Sequence, residues 1–347
     1  MSLARRSIRF AAGLVGCAAL ALAGGAAAGA SPAGASPAGA SQAGASPAGA
    51  SQAGASQAGA SQAGAAAPAV AIKGGRIPVI SVDMTSEGGF SLPNTVHAGL
   101  VTFRVTSSEA DYHALQGFRV NPGFTADDIV HDLALGLSDN RADNALGHQL
   151  LLQQAVLIGG VVTAPEGPTS VTVQLEPGTY YFFDLNDLFL TGVTPRVHRL
   201  VARGAMRSGG LPAYDAVIVA GMDAEDMPMF HNVPAEFGRD GTFLFVNASD
   251  ELHEAVFRPT REGITDQYIT DFYNAIAAGD PNPPASPWIG RQRGLQALSP
   301  NRWAIVHIQL NAGPNALICY VPSDEAGPPQ NGLPHAYLGM HNMVNLA

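Results

Sequence analysis

The second half of the chain carries four side chains whose types suit a soft metal ion. In chain order they are His253, Cys319, His335 and Met340, and Asn247 precedes the first of them by six residues. A thiolate, two imidazoles and a thioether favour copper, and a trigonal His2Cys set with a long axial methionine is typical of a blue-copper electron-transfer site. Such a site requires one histidine on a distant strand and three ligands around a loop between the last two strands. The chain supplies that order.

Each of the four residues also has a purely structural interpretation. His253 fits a polar residue at the end of a strand, and Cys319 fits a small buried apolar residue, which is the usual fate of a free cysteine. His335 fits a turn residue and Met340 fits a core residue. Their occurrence together, in this order, favours the metal site.

The elements that must position these side chains belong to an internal repeat. In both halves a histidine is followed by glycine after ten residues, threonine after twelve and isoleucine after sixteen: His113, Gly123, Thr125 and Ile129, then His253, Gly263, Thr265 and Ile269. Asp184 and Cys319 each follow a leucine by nine residues. Two tandem copies of one module explain these spacings.

Most of each copy has the composition of β-strands. Segments such as 100–106, 170–176, 241–247 and 304–311 are rich in β-branched and aromatic residues and are bounded by polar or turn residues. Helical pattern is clearest over 125–137 and 265–278, where each stretch begins with a threonine that suits a helix N-cap. About seven short strands per copy predict a sandwich.

The second copy resembles the cupredoxin family, and the tandem halves resemble a two-domain cupredoxin. The residues that carry the resemblance are Asn247 ahead of His253, Cys319 at the end of the penultimate strand, and His335-x4-Met340 after it. The resemblance implies an all-β protein made of two tandem Greek-key β-sandwiches, each with a short helical insertion, over 70–208 and 209–347. It also implies one type 1 copper ion on His253, Cys319, His335 and Met340, with Asn247 tying the His253 loop to the Cys319 loop.

The first copy is predicted to hold no metal. His113 matches His253, but Asp184 stands where Cys319 stands, and a blue-copper centre needs the thiolate. The chain contains neither a His-x-His pair nor a His-Cys-His run, so a trinuclear copper cluster and oxygen-reducing chemistry are not expected. It also lacks G-x-S-x-G, H-E-x-x-H, P-loop and G-x-G-x-x-G motifs, which argues against the common hydrolase and nucleotide-binding classes.

The first 69 residues are expected to lie outside the folded part. Arg5, Arg6 and Arg9 precede an apolar run and a small-residue stretch, which predicts an export signal over 1–29. Residues 30–64 are seven pentapeptides, ASPAG or ASQAG, and predict a disordered linker over 30–69. The apolar run is too short to predict a membrane span. The protein is therefore expected to be secreted or attached to the cell surface, and lipoprotein anchoring through Cys17 is the alternative.

Composition limits the remaining partners. The net charge is −10, with 28 acidic and 18 basic residues of which only Lys73 is a lysine, so no nucleic-acid partner is expected. Electron transfer or binding is expected rather than catalysis. The main prediction is an exported copper-binding electron carrier with an unidentified redox partner. The alternative is a metal-free β-sandwich, displayed at the cell surface, that binds a surface ligand or serves a structural role.

Overall fold

The computed structural model describes residues 76–86, 89–109, 113–165, 167–190, 192–207 and 209–347. The predicted export signal, the repeat linker and Cys17 lie outside these residues. The described chain is predominantly β-structure, as predicted.

Seven strands lie in the first half of the described chain. They are β1 Val79–Asp83, β2 Thr95–Thr106, β3 His113–Val120, β4 Ala155–Thr163, β5 Thr169–Leu175, β6 Gly178–Asp184 and β7 His198–Arg207. Nine strands follow in the second half: β8 Ala216–Met222, β9 Pro228–His231, β10 Glu236–Phe237, β11 Asp240–Asn247, β12 His253–Pro259, β13 Arg293–Leu298, β14 Trp303–Gln309, β15 Gly313–Ile318 and β16 His341–Leu346. The four strand segments predicted from composition fall within β2, β5, β11 and β14, apart from one or two end residues.

The strand pairings repeat between the halves. β3 lies between β4 and β6, and β12 lies between β13 and β15 in the same antiparallel sense. β2 pairs with β5 and with parallel β1, as β11 pairs with β14 and with parallel β8. This correspondence is what a duplicated β-sandwich predicts. The boundary at residues 208 and 209 stays a prediction.

Hydrogen bonds between strands also join the two halves. β4 pairs antiparallel with β13 through Val162 and Gly294, and β5 pairs antiparallel with β14 through Val171 and Val306. At Gly294, where φ is +144°, a Cβ atom would lie 2.2 Å from the carbonyl oxygen of Ala255. Only glycine permits this close approach of β13 to β12.

Two of the three α-helices in the described residues were predicted from sequence. These are α1, Ala126–Leu135, and α3, Asp266–Ala277. Thr125 caps α1 by accepting from the Asp128 N–H, while the Asp128 carboxylate accepts from the Thr125 N–H, which is a complete capping box. Thr265 caps α3 by accepting from the Tyr268 N–H.

The helix α2, Arg141–Gln154, was not predicted. It gives the first half a second helix where one short helical insertion was expected. The side chain of Asn140 caps the start of α2 by accepting from the Ala142 N–H. The buried residues of α2 are both apolar and polar. A Cβ atom on Gly147 would lie 2.3 Å from the Gly136 backbone nitrogen, so this glycine allows α2 to cross closely over the end of α1.

The main core lies between the inward faces of the strands. It includes Phe103, Phe182, Phe243 and Phe257, all at most 1% exposed. A smaller cluster joins Ile269 and Phe272 of α3 to buried residues of β3, β4, β12 and β15. None of the helices in the described ranges has the length and apolar character that a membrane span needs.

Candidate metal centre

The strands bring three sequence-distant donors to one end of the second half. His253 is the first residue of β12, Cys319 directly follows β15, and His335 begins a 3-10 turn that leads to β16. β12 and β16 both pair antiparallel with β15, so the start of β12 and the start of β16 lie beside the end of β15. This arrangement of strand ends places the histidines beside the cysteine.

The donor atoms of His253, Cys319 and His335 converge. Cys319 Sγ lies 3.7 Å from His253 Nδ1 and 3.5 Å from His335 Nδ1, and the three donor atoms lie within 4.8 Å of one another. The two imidazole ring centroids are 4.6 Å apart. One ion at the centre of such a triangle is within reach of all three, because copper and zinc bonds to these ligand types are about 2.0–2.3 Å long.

The three donor residues are completely buried. Each is 0% exposed. Burial raises the pKa of the Cys319 thiol well above its usual range. Burial, reinforced by the neighbouring His335, lowers the pKa of His253 well below its usual value, and burial together with His148 lowers that of His335 to about 3. The imidazoles are therefore neutral at ordinary pH, which is the protonation state that binds metal.

The insert between Cys319 and His335 does not separate the two ligands. The fifteen residues 320–334 loop outward, and the N–H of Ser323 donates to the carbonyl of Leu333 at 2.9 Å. The N–H of His335 donates to the Val321 carbonyl at 2.9 Å, and the N–H of Ala336 donates to the Cys319 carbonyl at 2.8 Å. The two ends of the insert are thus tied together beside the donors.

Met340 lies next to Cys319 in the backbone. The N–H of Cys319 donates to the Met340 carbonyl at 3.3 Å, and the N–H of Met340 donates to the His335 carbonyl at 2.9 Å. The Met340 side chain is 0% exposed and belongs to the main core cluster together with Cys319. These contacts hold the Met340 backbone beside Cys319 and His335. The role of Met340 as an axial ligand stays a prediction.

Two glutamates that the sequence analysis did not assign to the site surround the donors. Glu254 donates its backbone N–H to Cys319 Sγ at 3.4 Å, and its carboxylate accepts from the Tyr320 N–H at 3.0 Å. Glu251 Oε2 lies 2.5 Å from His335 Nε2, on the side of the ring opposite the cysteine. Burial, with a contribution from Asp250, raises the pKa of Glu251 to about 7, and burial raises that of Glu254 to about 7.

Glu251 would fix which nitrogen of His335 faces a metal. A carboxylate on the remote ring nitrogen holds a ligating histidine in one tautomer and one orientation. The sequence offered one signal for this role, an acid two residues before the first ligand. Its contact with His335, 84 positions later in the chain, could not be read from spacing.

Asn247 acts on the turn that precedes His253. Its side-chain N–H groups donate to the carbonyls of Glu251 at 2.7 Å and Leu298 at 2.9 Å, and its Oδ1 accepts from the N–H and hydroxyl of Ser249. The implied hydrogen bond to the Cys319 segment is not among the bonds that Asn247 makes to described residues. Its supporting role, exerted through this turn, stays a prediction.

The corresponding place in the first half holds an acid–imidazole pair. His113 Nδ1 lies 2.5 Å from Asp184 Oδ2, and His113 Nε2 lies 3.5 Å from Glu109 Oε2. Among the described residues, His253, Cys319 and His335 form the one group of three potential ligands that converges in this way. The absence of a metal from the first half stays a prediction.

The donor set fits copper by its chemistry. One sulfur and two neutral imidazole nitrogens face one another in a buried space, and a thioether-bearing residue is adjacent in the backbone. The cluster fits a type 1 copper site.

Comparison with known proteins gives structural neighbours only. No protein-family model and no curated protein matches the chain. A dithionite-reduced auracyanin from Roseiflexus castenholzii is 21% identical, covers 39% of this chain and 99% of its own, and has a TM-score of 0.22. A multicopper oxidase is 10% identical over 78% of this chain and 89% of its own, at a TM-score of 0.22. A copper nitrite reductase from Nitrosomonas europaea is 10% identical, covers 78% of this chain and 94% of its own, and has a TM-score of 0.21.

The folded part is predominantly β-structure, with corresponding strand pairings in its two halves and a buried His-Cys-His cluster that fits a type 1 copper site. TM-scores near 0.2 add nothing to these findings. No binding or catalytic property of these neighbouring proteins is assigned to this chain.

Proposed function

We propose that the protein is an exported electron carrier that holds one copper ion through His253, Cys319 and His335, with Met340 as a weak axial ligand. The observation that supports it is the convergence of three soft or borderline donor atoms within 4.8 Å of one another in a fully buried place. The predicted leader over 1–29 supports the export part of the proposal.

The chain's own residues hold the donors in place. β12 and the end of β15 position His253 and Cys319, and the 3-10 turn positions His335. The Glu251 carboxylate lies beside Nε2 of His335, where it would orient the ring. A site whose ligands are held by paired strands changes its geometry little between redox states. Copper, when bound, would supply one-electron redox chemistry, and the Cys319 sulfur would be the main electronic path to it.

Burial favours electron transfer over chemistry at the metal. Because all three donor residues are 0% exposed, a substrate would have to displace packed side chains to reach the ion. An electron needs no such opening. The proposal therefore assigns the site to single-electron transfer rather than to catalysis.

The test is the colour and copper content of the protein made in copper-replete medium. A thiolate–copper site absorbs intensely in visible light, so the purified protein is expected to be coloured and to contain about one copper per chain. Cys319→Ser is expected to lose the colour, whereas His307→Ala is expected to keep it, because His307 lies outside the cluster, half exposed and paired with Asp240 at 2.9 Å. A colourless, copper-free wild-type protein would instead favour the metal-free surface module.

A further inference from the structure

A cleft lies where the two halves of the chain meet. Its floor is the outer face of β3, β4 and β13, and its walls come from α1, α2, the 3-10 turn Leu185–Phe189 and residues 320–322. The space inside it that a water-sized molecule can reach is about 80 Å3, and its mouth is open to solvent. A single water needs about 10–15 Å3 by this measure, so the cleft has room for a molecule several times the size of a water.

Most of the lining is apolar. Leu133 and Leu137 come from α1 and its end, Leu185 and Phe189 from the 3-10 turn, and Leu157 from β4. Phe189 lines the cleft and is 39% exposed, so an entering molecule would contact it. Among the described residues that line the cleft, none is a lysine or an arginine, so the lining does not select an anion.

Gln296 supplies a buried polar atom without a partner. This residue of β13 lines the cleft and is 3% exposed, and its Oε1 accepts no hydrogen bond among the described residues. A buried acceptor left without a donor costs about 1–3 kcal/mol. A donor brought by a ligand would remove that cost.

His148 supplies a second acceptor. Its Nδ1 lies 2.8 Å from the Asn144 carbonyl, so Nδ1 carries the proton and donates it there, which leaves the Nε2 lone pair free to accept. Burial lowers the pKa of His148 to about 4, so the ring is neutral at ordinary pH. His148 is 5% exposed and lines the cleft from α2.

The amide nitrogen of Gln116 is already engaged. It donates to the carbonyls of Gly117, Gly159 and Ala297, which anchors the floor of the cleft across both halves. The carboxylate of Glu254 accepts from the Tyr320 N–H. Gln296 Oε1 and His148 Nε2 thus accept no hydrogen bond from the described residues, and a ligand that donates would satisfy either atom.

We propose that this cleft binds a small uncharged apolar molecule that carries a hydroxyl group, which donates a hydrogen bond to Gln296 Oε1 while its apolar part packs against the leucines and Phe189. The proposal does not depend on copper, because none of these contacts involves His253, Cys319 or His335. A ligand bound there lies against Tyr320 and Val321, the residues that directly follow Cys319.

The test uses p-cresol and toluene as probes of the full chain. The two molecules share an aromatic ring and a methyl group, and only p-cresol can donate a hydrogen bond. Isothermal titration calorimetry of the metal-free protein is expected to show p-cresol binding about tenfold more tightly than toluene. In Gln296→Leu, which keeps the size of the side chain and removes the acceptor, the preference for p-cresol is expected to fall below about threefold.

A second pair of variants locates the binding. Leu137→Trp adds an indole to the cleft wall and is expected to abolish binding of both probes. Leu211→Trp makes the same change at an exposed leucine outside the lining and is expected to leave binding unchanged. Equal affinities for the two probes in the wild-type protein would overturn the role of Gln296. Binding that survives Leu137→Trp, or no binding of either probe at millimolar concentration, would overturn the site.

Discussion

Asp184 occupies in the first half the position that Cys319 occupies in the second. Asp184 pairs with Leu115, two residues after His113. The pairing of Val256 with Ile318 places Cys319 opposite Ala255, two residues after His253. His113 Nδ1 and Asp184 Oδ2 are 2.5 Å apart, whereas His253 Nδ1 and Cys319 Sγ are 3.7 Å apart. An acid–imidazole contact therefore stands in one half where a thiol–imidazole contact stands in the other.

His113→Ala is expected to leave copper binding almost unchanged. The residue contacts Asp184 and Glu109 rather than any of the three converging donors. It is also expected to destabilise the fold by up to about 3–5 kcal/mol, because the buried Asp184 loses its imidazole partner and keeps, among the described residues, only the N–H groups of Ala114 and Asn186. Copper content and urea denaturation of the same preparation separate the two effects. Loss of colour with an intact fold would contradict the assignment of the site to the second half.

The His113–Asp184 pair predicts a dependence of stability on pH. Burial, the largest contribution, lowers the pKa of His113, but the hydrogen bond and charge of Asp184, with the charge of Glu109, outweigh it and raise the pKa above its usual value. A raised histidine pKa stabilises the fold fully below the unfolded value near 6.5 and ceases to do so as pH rises through the folded value.

The measurement is the difference in unfolding free energy between wild type and His113→Gln. That difference should be largest near pH 5 and should shrink as pH increases towards 9, since the other titrating groups are common to both proteins. A difference that grows with pH would contradict the charged state assigned to His113.

Glu251→Gln is expected to weaken copper binding about 10–100-fold, the usual cost of removing a carboxylate that orients a ligating histidine. Competition with a chelator gives the affinity. Glu262→Gln, a matched change at an exposed glutamate, is the control and should bind as the wild type does. Equal affinities in the two variants would show that Glu251 does not orient His335.

Met340→Leu is expected to keep the colour and raise the reduction potential. The thiolate and imidazoles remain, and the axial ligand tunes the potential in this class of site. The swap nearly conserves volume, so its cost in stability should stay below about 1.5 kcal/mol. Met343→Leu, three residues along in β16, is the control for a methionine change outside the cluster. Identical potentials in the two variants would remove Met340 from the ligand set.

Local sequence signals predicted the parts of the fold that depend on neighbouring residues. The threonines at 125 and 265 marked both helix starts because capping is a contact within four residues. The candidate ligands could be identified from sequence, because His253, Cys319, His335 and Met340 have residue types that suit copper and follow one another in the expected order. The helix α2 was missed because polar residues such as Asn144 and His148 lie among its buried positions, so its sequence lacks a clear apolar face.

Contacts between distant segments could not be predicted in this way. Glu251 approaches His335 only because the residue 320–334 insert folds back on itself. The cleft exists only because β4 of the first half pairs with β13 of the second. One sequence contains no spacing that specifies either pairing, because strand registers between remote segments are set by tertiary packing.

The junction of β4 with β13 and of β5 with β14 bears on how the chain can be divided. Cutting at Gly209–Gly210 would expose four long strand edges, each with a row of unpaired backbone N–H and C=O groups. In each fragment, both exposed strands have their pairing partners in the other fragment, β4 with β13 and β5 with β14. They are expected to recombine as a noncovalent complex, or to aggregate when mixed at unequal amounts, instead of persisting as two separate soluble pieces.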